Sequence, residues 1–163
     1  MTTLHAETLT ASFRDAMASM CTPVAVITAM DGERPHGTTV SAFASLSMDP
    51  ASLLISLDEG SDLLKLIEAT GSFGVNILGS AQAEIARRFA RKGKDKFDGV
   101  TWELDHGVPR IAKVPGWVVC RVAQAVKAAD HKVLVGEVLT VETRRPVAPL
   151  TYHERIFGTH ISL

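Results

Sequence analysis

Two long runs of β-branched residues constrain the fold of this chain more than any other feature. They cover residues 117–126 and 133–141, and the segment Ala128-Ala129-Asp130-His131 lies between them. Branching at Cβ favours extended backbone and lowers helix propensity. We therefore predict two long strands around a turn at Asp130-His131, which makes the last third of the chain β-rich.

Shorter apolar segments predict further strands. Residues 24–29 and 36–43 flank Asp31-Gly32, a dipeptide typical of tight hairpin turns, so we predict a strand pair there. Two more predicted strands cover residues 53–58 and 73–78. Six or more strands without a regular βαβ alternation favour an antiparallel barrel or sandwich, with short helices in the crossovers, over a doubly wound sheet.

Three short helices interrupt the predicted strands. Apolar residues spaced by three and four positions predict the first helix; they are Leu9, Phe13, Ala16, Met17 and Met20. Ser61 is a typical N-cap for a second helix, and Gly71 is a typical residue to end it. Ser80 is the predicted cap of a third helix.

Length, charge and cysteine content limit the class of protein. A chain of 163 residues suits one domain, which we predict to span residues 1–163. The formal net charge of −1 is unlike that of a nucleic-acid-binding protein. No apolar run approaches the roughly 18 residues of a membrane helix, and the first residues do not resemble a signal peptide. Two distant cysteines without a CxxC motif suit a reducing compartment, so we expect a cytoplasmic protein with no membrane or nucleic-acid partner.

The common catalytic and nucleotide-binding motifs are absent from the sequence. It contains no GxGxxG, GxxxxGK[ST], HExxH or GxSxG motif. It also has no cysteine and histidine cluster with metal-ligand spacing, so we predict no metal site. The chemistry of this chain must therefore rest on less regular features.

A hydroxyl-rich segment is the strongest of these features. Residues 37–47 carry five Ser and Thr hydroxyls beside apolar side chains. Hydroxyls and backbone N–H groups between apolar walls suit a polar heteroaromatic ring and its ribityl chain. The alternative is a Thr-rich strand whose outer face is only hydrated.

Ser61, at the start of the second predicted helix, adds a second feature. Its hydroxyl and the free N–H groups of the first turn suit a phosphate, although an ordinary N-cap has the same sequence. Asp58 and Asp62 would repel a phosphate unless they point away. The basic residues 87–88 and 92–96 either compensate that charge or form a solvated loop.

Taken in order, these segments resemble the short-chain flavin reductase family, the small reductase components of two-component flavin-dependent monooxygenases. The resemblance runs from Phe13 to Phe157. It is carried by residues 13–17, Thr22-Pro23-Val24-Ala25-Val26-Ile27-Thr28, Gly37-Thr38-Thr39-Val40-Ser41-Ala42-Phe43, residues 45–50, residues 54–57, Gly71-Ser72-Phe73-Gly74-Val75-Asn76-Ile77-Leu78, Gln82, Phe89, Asp95-Lys96-Phe97, Asp130-His131 and Pro149-Leu150-Thr151-Tyr152-His153.

The resemblance implies a mainly β fold, a split β-barrel of the FMN-binding, Greek-key type with short crossover helices. It also implies a homodimer that binds FMN or FAD near the subunit interface. The isoalloxazine and ribityl portion would be lined by Thr38, Thr39, Val40 and Ser41. The ribityl and phosphate end would be held by Ser56, Leu57, Asp58 and Ser61.

The resemblance assigns the remaining site residues to the ring and to the hydride donor. The further flavin neighbours would be Phe89, Lys96 and Phe97. The nicotinamide side would be formed by His131, Tyr152 and His153. His131 is our predicted catalytic residue, because a turn histidine suits a hydrogen bond to the nicotinamide carboxamide.

Two positions depart from the family pattern. Ala129 stands where the family often has glycine, so we expect a differently shaped turn before Asp130. Glu154 stands where the family often has arginine. An acid near the nicotinamide ribose would disfavour the 2′-phosphate of NADPH, so we expect NADH as the donor.

Three function classes follow from the resemblance. The first is an NAD(P)H:flavin oxidoreductase that reduces FMN or FAD by hydride transfer and releases the reduced flavin to a separate monooxygenase. The second is a flavoprotein of the same fold that retains FMN and reduces another acceptor, such as ferric chelates. The third is a flavin-binding module without reductase activity.

Overall fold

The computed structural model describes residues 3–93 and 95–162 as a mainly β protein with three α-helices. In chain order, the elements are α1 (Thr3–Ala18), β1 (Thr22–Pro23), β2 (Ala25–Asp31), β3 (Arg34–Val40), β4 (Phe43–Met48), β5 (Ala51–Asp58), α2 (Asp62–Thr70), β6 (Ser72–Ile77), a 3-10 helix (Ser80–Gln82), α3 (Ala83–Ala90), β7 (Trp102–Asp105), β8 (Val108–Ile111), β9 (Gly116–Ala128), β10 (His131–Thr143), β11 (Leu150–His153) and β12 (Ile156–Thr159).

Seven of these strands form one antiparallel sheet in the order β3-β2-β6-β9-β10-β5-β4. Strands β3 and β4 stand at its opposite ends although only residues 41–42 separate them in the chain. The backbone N–H of Ser56 donates to the carbonyl of Ala42 at 2.9 Å, so this linker lies against β5. The mainly β prediction is confirmed, but no closed barrel is found among the described residues.

The two long β-branched runs form the hairpin β9–β10, as predicted. Ala129, in its turn, has a φ of 55°, in the left-handed region that favours glycine. Alanine thus adopts here a backbone conformation that glycine takes without strain, and the difference in turn shape from other members stays a prediction. The predicted Asp31-Gly32 hairpin also forms, between β2 and β3.

The main sheet is packed on both faces, because alternate residues of a strand point to opposite sides. Ala25, Ile27 and Ala29 of β2 contribute to one buried cluster, which α2 covers. Val24 and Val26 point the other way, into a second cluster that α3 and the hairpin β7–β8 cover. These two cores hold the helix ends against the sheet, and the candidate site lies at those helix ends.

The caps of the second helix are as predicted, whereas that of the third is not. The Ser61 hydroxyl accepts a hydrogen bond from the N–H of Leu64, and Gly71 ends α2 with a φ of 72°. Ser80 lies inside the short 3-10 helix rather than capping α3. The N-cap position of α3 belongs to Gln82, whose side chain accepts the N–H of Gly79 at 3.0 Å, so the predicted Ser80 cap is wrong.

The predicted first helix forms, but its apolar stripe is exposed. Phe13 is 62% exposed and Met17 is 45% exposed. The helix is tied to the β11–β12 turn by an ion pair of 2.6 Å between Asp15 and Arg155. Within the described part of the chain, no helix combines the length and apolar character needed to cross a membrane.

Candidate functional site

A cavity of about 850 Å³ lies between the end of β3, the end of β5, the start of α2 and the segment after α3. We call it the hydroxyl cavity. Its lining residues are His36, Thr38, Thr39, Val40, Ser41, Ala42, Ser56, Leu57, Asp58, Gly60, Ser61, Asp62, Ala90, Arg91, Lys92, Gly93, Lys96 and His131. The structure therefore brings together residues that the sequence analysis placed at both ends of the flavin, and the volume suits a small-molecule site.

The threonine hydroxyls of the cavity also hold α3 against β3. The hydroxyl of Thr39 donates to the Ala86 carbonyl at 2.7 Å, and that of Thr38 donates to the Phe89 carbonyl at 3.5 Å. Since each hydroxyl has only one proton, both threonines are left to act as acceptors toward a ligand.

The free hydroxyls of the cavity belong to serines. Within residues 3–93 and 95–162, the side chains of Ser41 and Ser56 make no hydrogen bond. Ser41 follows β3 and Ser56 lies in β5, so the two hydroxyls come from segments that meet at the Ala42 linker. These serines provide donors and acceptors that no group of the described residues uses.

The carboxylates of the acidic residues beside Ser61 each interact with a nearby group of the protein. The Asp58 carboxylate accepts the N–H of Gly60 at 2.7 Å, and Asp62 lies 3.4 Å from the ammonium of Lys65. Both carboxylates line the cavity, but each has a local partner that reduces its effect on a bound anion. The N-cap geometry of Ser61 is the arrangement that a phosphate-binding helix start requires.

Two cationic or titratable side chains lie on the β3 side of the cavity. The Lys96 ammonium donates to the carbonyls of Gly37 at 3.0 Å and Phe89 at 3.1 Å, and burial lowers the pKa of Lys96. Burial also lowers the pKa of His36, and the positive charges of Lys96 and Arg34 lower it further. The Nδ1 atom of His36 is buried and has no hydrogen-bond partner among the described residues.

His36 was missed by the sequence analysis, although the strand pattern contains the signal. Residues 36, 38 and 40 alternate along β3 and therefore share one face of the strand. All three line the hydroxyl cavity. Extending the hydroxyl-rich segment by one alternation would have included His36.

The structure does not place the two predicted aromatic neighbours in the hydroxyl cavity. Phe89 is fully buried and packs edge-to-face against Phe97, with ring centroids 4.8 Å apart. Phe97 is 9% exposed and belongs to the same buried cluster. Both rings take part in apolar packing beneath α3 and lie outside the lining of this cavity, so their contact with a flavin stays a prediction.

His131 lines the hydroxyl cavity because β10 begins opposite the end of β5, where His131 pairs with Asp58. Its Nδ1 lies 2.8 Å from a carboxylate oxygen of Asp130. A carboxylate accepts, so Nδ1 carries the hydrogen and Nε2 is left for another partner. The same hydrogen bond lowers the pKa of Asp130.

A second cavity, of about 710 Å³, shares a wall with the first. We call it the arginine cavity. Its lining residues are Val24, Thr39, Val40, Ser41, Arg87, Ala90, Arg91, Tyr152, Arg155, Ile156 and Phe157. Tyr152 therefore lies beside the hydroxyl cavity but not in it. The rings of Tyr152 and Phe157 contact each other, with centroids 5.1 Å apart.

His153, the remaining residue predicted for the nicotinamide side, lines a different cavity. His153 and Glu154 line a third cavity with Cys21, and neither residue lines the hydroxyl or arginine cavity. The three residues predicted for the nicotinamide side thus line three different cavities, of which those of Tyr152 and His153 share Ile156 and Phe157. The structure also removes the geometric reason for linking Glu154 to a preference for NADH.

Comparison with known proteins gives a consistent family assignment. The chain matches the flavin reductase like domain over residues 17–160. The FMN reductase (NADH) SmoA of Agrobacterium fabrum is 38% identical over 148 residues, which cover 90% of this chain and 84% of SmoA. Coverage varies among relatives: a probable flavin reductase of Rhizobium meliloti is 34% identical over 80% of this chain, which spans only 43% of that protein.

Two solved structures have the same fold. Nitrilotriacetate monooxygenase component B of Mycobacterium thermoresistibile matches with a TM-score of 0.89 and 31% identity, covering 93% of this chain and 87% of that one. An NADH:FAD oxidoreductase of Streptomyces globisporus, in complex with NAD and FAD fragments, matches with a TM-score of 0.88 and 27% identity, covering 93% and 92%. The domain match and these relatives confirm the predicted resemblance: this chain belongs to the flavin reductase family.

Proposed function

We propose that this protein is an NAD(P)H:flavin oxidoreductase that reduces FMN or FAD and supplies the reduced flavin to a separate monooxygenase. The observation that carries the proposal is the hydroxyl cavity, where unpaired serine hydroxyls, a helix N-cap and lysines surround one volume. The relatives named as an FMN reductase (NADH) and an NADH:FAD oxidoreductase support the donor and the acceptors.

The residues of the cavity fit a flavin by the chemistry of their donors and acceptors. Ser41 and Ser56 offer free hydroxyls, and Val40 and Leu57 offer apolar surface. The phosphate would bind at Ser61, where the first turn of α2 carries free N–H groups. The flavin's contribution is to accept a hydride at N5, with a proton from water, giving reduced flavin and oxidised nicotinamide.

His131 and Tyr152 are the residues that we propose for the hydride donor. The Asp130 hydrogen bond orients the His131 ring, so that Nε2 is available to the carboxamide of the nicotinamide. Tyr152 stands in the adjoining arginine cavity. The protein's task at this place is to position the two rings, because hydride transfer needs little acid–base machinery.

We also propose a homodimer and a split-barrel description of the curved sheet. The exposed apolar stripe of α1 supports a dimer, since contiguous exposed apolar residues mark contact surfaces. The edge strands β3 and β4 are joined by only residues 41–42, which supports a sheet that curves back on itself. A relative named as a monooxygenase component supports the oxygenase partner, which we expect to receive diffusible reduced flavin.

Steady-state oxidation of NADH with added flavin tests the proposed reaction. The purified protein is mixed with NADH and with FMN, FAD or riboflavin, and the loss of NADH absorbance is followed. Turnover that depends on added flavin supports a reductase whose flavin is a substrate. A yellow protein that needs a different acceptor indicates the retained-flavin class, and absence of NADH oxidation with every flavin contradicts the proposal.

Ser61→Ala tests the phosphate end of the site. We expect the Kd for FMN to rise about tenfold, the cost of one hydrogen bond to a charged group, and the Kd for riboflavin to change less than about twofold. Fluorescence titration of each flavin measures the difference. Because the variant also loses an N-cap worth about 1 kcal/mol, its folding is checked by circular dichroism. Equal losses for FMN and riboflavin would refute the phosphate role.

His131→Ala tests the donor side. We expect the KM for NADH to rise about fivefold to tenfold while the Kd for FMN stays within about twofold of that of the wild type. Lys132→Ala is the matched control, because Lys132 is the next residue of β10 and pairs with Glu68 away from both cavities. Unchanged kinetics in the His131 variant would exclude the assignment.

A further inference from the structure

Arg91 occupies the wall between the hydroxyl cavity and the arginine cavity. It lines both the hydroxyl cavity and the arginine cavity, together with Thr39, Val40, Ser41 and Ala90. Its backbone ends α3, where its N–H donates to the Arg88 carbonyl at 3.3 Å. The side chain therefore stands where ligands in the two cavities would meet.

The arginine cavity has the chemistry of a site for an anionic aromatic ligand. Three guanidinium groups line it, and no Asp or Glu does. The Tyr152 and Phe157 rings provide a surface on which a nucleobase or a nicotinamide could stack. The hydroxyl cavity differs, since the carboxylates of Asp58 and Asp62 line it beside its lysines.

The three arginines of the arginine cavity differ in the interactions that their guanidinium groups make. Arg87 pairs with Glu84 and lies over the Phe157 ring, and Arg155 pairs with Asp15. Across residues 3–93 and 95–162, the Arg91 guanidinium has no ion pair, hydrogen bond or ring contact. Arg91 is thus the guanidinium of this cavity whose donors are all available to a ligand.

We propose that Arg91 binds the pyrophosphate of the pyridine nucleotide and thereby determines affinity for the hydride donor. The proposal rests on the proposed reductase function. A guanidinium matches two phosphate oxygens at once. The flavin phosphate has its own partners at Ser61, Lys92 and Lys96, all in the hydroxyl cavity and none in the arginine cavity.

The test uses two hydride donors that differ in their phosphates. NADH carries the pyrophosphate, whereas 1-benzyl-1,4-dihydronicotinamide has the same reactive ring and no phosphate. For Arg91→Gln we expect the KM for NADH to rise about tenfold, with kcat and the Kd for FMN within about twofold of the wild type. Turnover with the phosphate-free donor should not change.

Arg88→Gln is the matched control. It removes the same charge three residues earlier, in the last turn of α3, from a side chain that lines neither cavity and donates to the Asp98 carbonyl. We expect its KM for NADH to stay within about twofold of the wild type. An equal rise in both variants would indicate a general effect of charge and would overturn the proposal.

Two further outcomes would also overturn it. Equal losses with both donors would show that Arg91 has only a structural role, and a weakened Kd for FMN with an unchanged KM for NADH would assign Arg91 to the flavin. Titration calorimetry with ADP needs no turnover, so it tests Arg91 even if the proposed reaction fails. We expect ADP to bind the wild type about tenfold more tightly than Arg91→Gln.

Discussion

Replacing Asn76 by alanine should lower the free energy of unfolding by about 3 kcal/mol, one of the largest losses available to a single substitution in this chain. The Asn76 side chain is fully buried in β6. Its amide donates to the Val26 carbonyl and to the Thr28 hydroxyl, each at 3.2 Å, and its carbonyl accepts the N–H of Ile111 at 2.7 Å. Alanine leaves the N–H of Ile111 without its acceptor and removes the donor from the Val26 carbonyl, while the Thr28 hydroxyl keeps its bond to the Pro109 carbonyl at 2.6 Å.

The loss should be concentrated in the hairpin β7–β8. This hairpin forms its own two-stranded sheet, and Asn76 connects it to the main sheet through Ile111. Hydrogen exchange of the Ile111 amide should therefore accelerate more than that of amides in β9 or β10. Guanidinium titration measures the global loss.

Val75→Ala is the matched control for this prediction. Val75 is equally buried in the same strand but contributes only packing, so its loss should be about 1–2 kcal/mol and should leave Ile111 exchange near that of the wild type. If Asn76→Ala lost no more than Val75→Ala, the amide would be shown to contribute packing alone.

The elements that were predicted from the sequence are those whose cap and turn residues lie within or next to the element itself. The α2 helix carries its own cap at Ser61 and its own stop at Gly71, and both function as their residue types indicate. The β2–β3 hairpin carries Gly32, whose φ is 59°. In each case the decisive contacts lie within a few residues, so the printed sequence contains them.

The strands that the sequence analysis missed depend on distant partners. The two short strands β7 and β8 are attached by Asn76 and by Arg110, which pairs with Asp105 at 2.9 Å and with Glu142 of β10. The turn between β11 and β12 has positive φ at Glu154 and Arg155, without the glycine or asparagine that usually indicates such a turn. No short sequence pattern indicates these contacts between distant residues.

The residues of the candidate site also fall into two groups: those that a sequence pattern indicates and those whose position depends on packing. The hydroxyl-rich segment and the Ser61 cap were predicted because each is a pattern of neighbouring residues that the sequence contains. Whether an aromatic side chain near the site faces a ligand or the core is decided by packing, so the sequence did not indicate that Phe89 is fully buried. Arg91 belongs to a charged segment whose sequence is typical of a loop. Only its position in the wall shared by the two cavities distinguishes it from the neighbouring basic residues.

Replacing Lys96 by methionine should weaken both the site and the fold. The ammonium of Lys96 joins β3 to the end of α3 by donating to Gly37 and Phe89, and it lines the hydroxyl cavity. Methionine keeps most of the apolar stem but removes both charged hydrogen bonds. We expect the free energy of unfolding to fall by about 2 kcal/mol, and the Kd for FMN to rise at least about tenfold.

Lys92→Met separates the two effects, because Lys92 lines the same cavity but has no ion pair or hydrogen bond within the described residues. It should raise the Kd for FMN through the lost charge and leave the denaturation midpoint unchanged. The difference between the variants follows from burial, which lowers the pKa of Lys96 and makes the loss of its hydrogen bonds to the Gly37 and Phe89 carbonyls costly. If both variants unfolded at the wild-type denaturant concentration, Lys96 would contribute charge to the cavity without holding its wall.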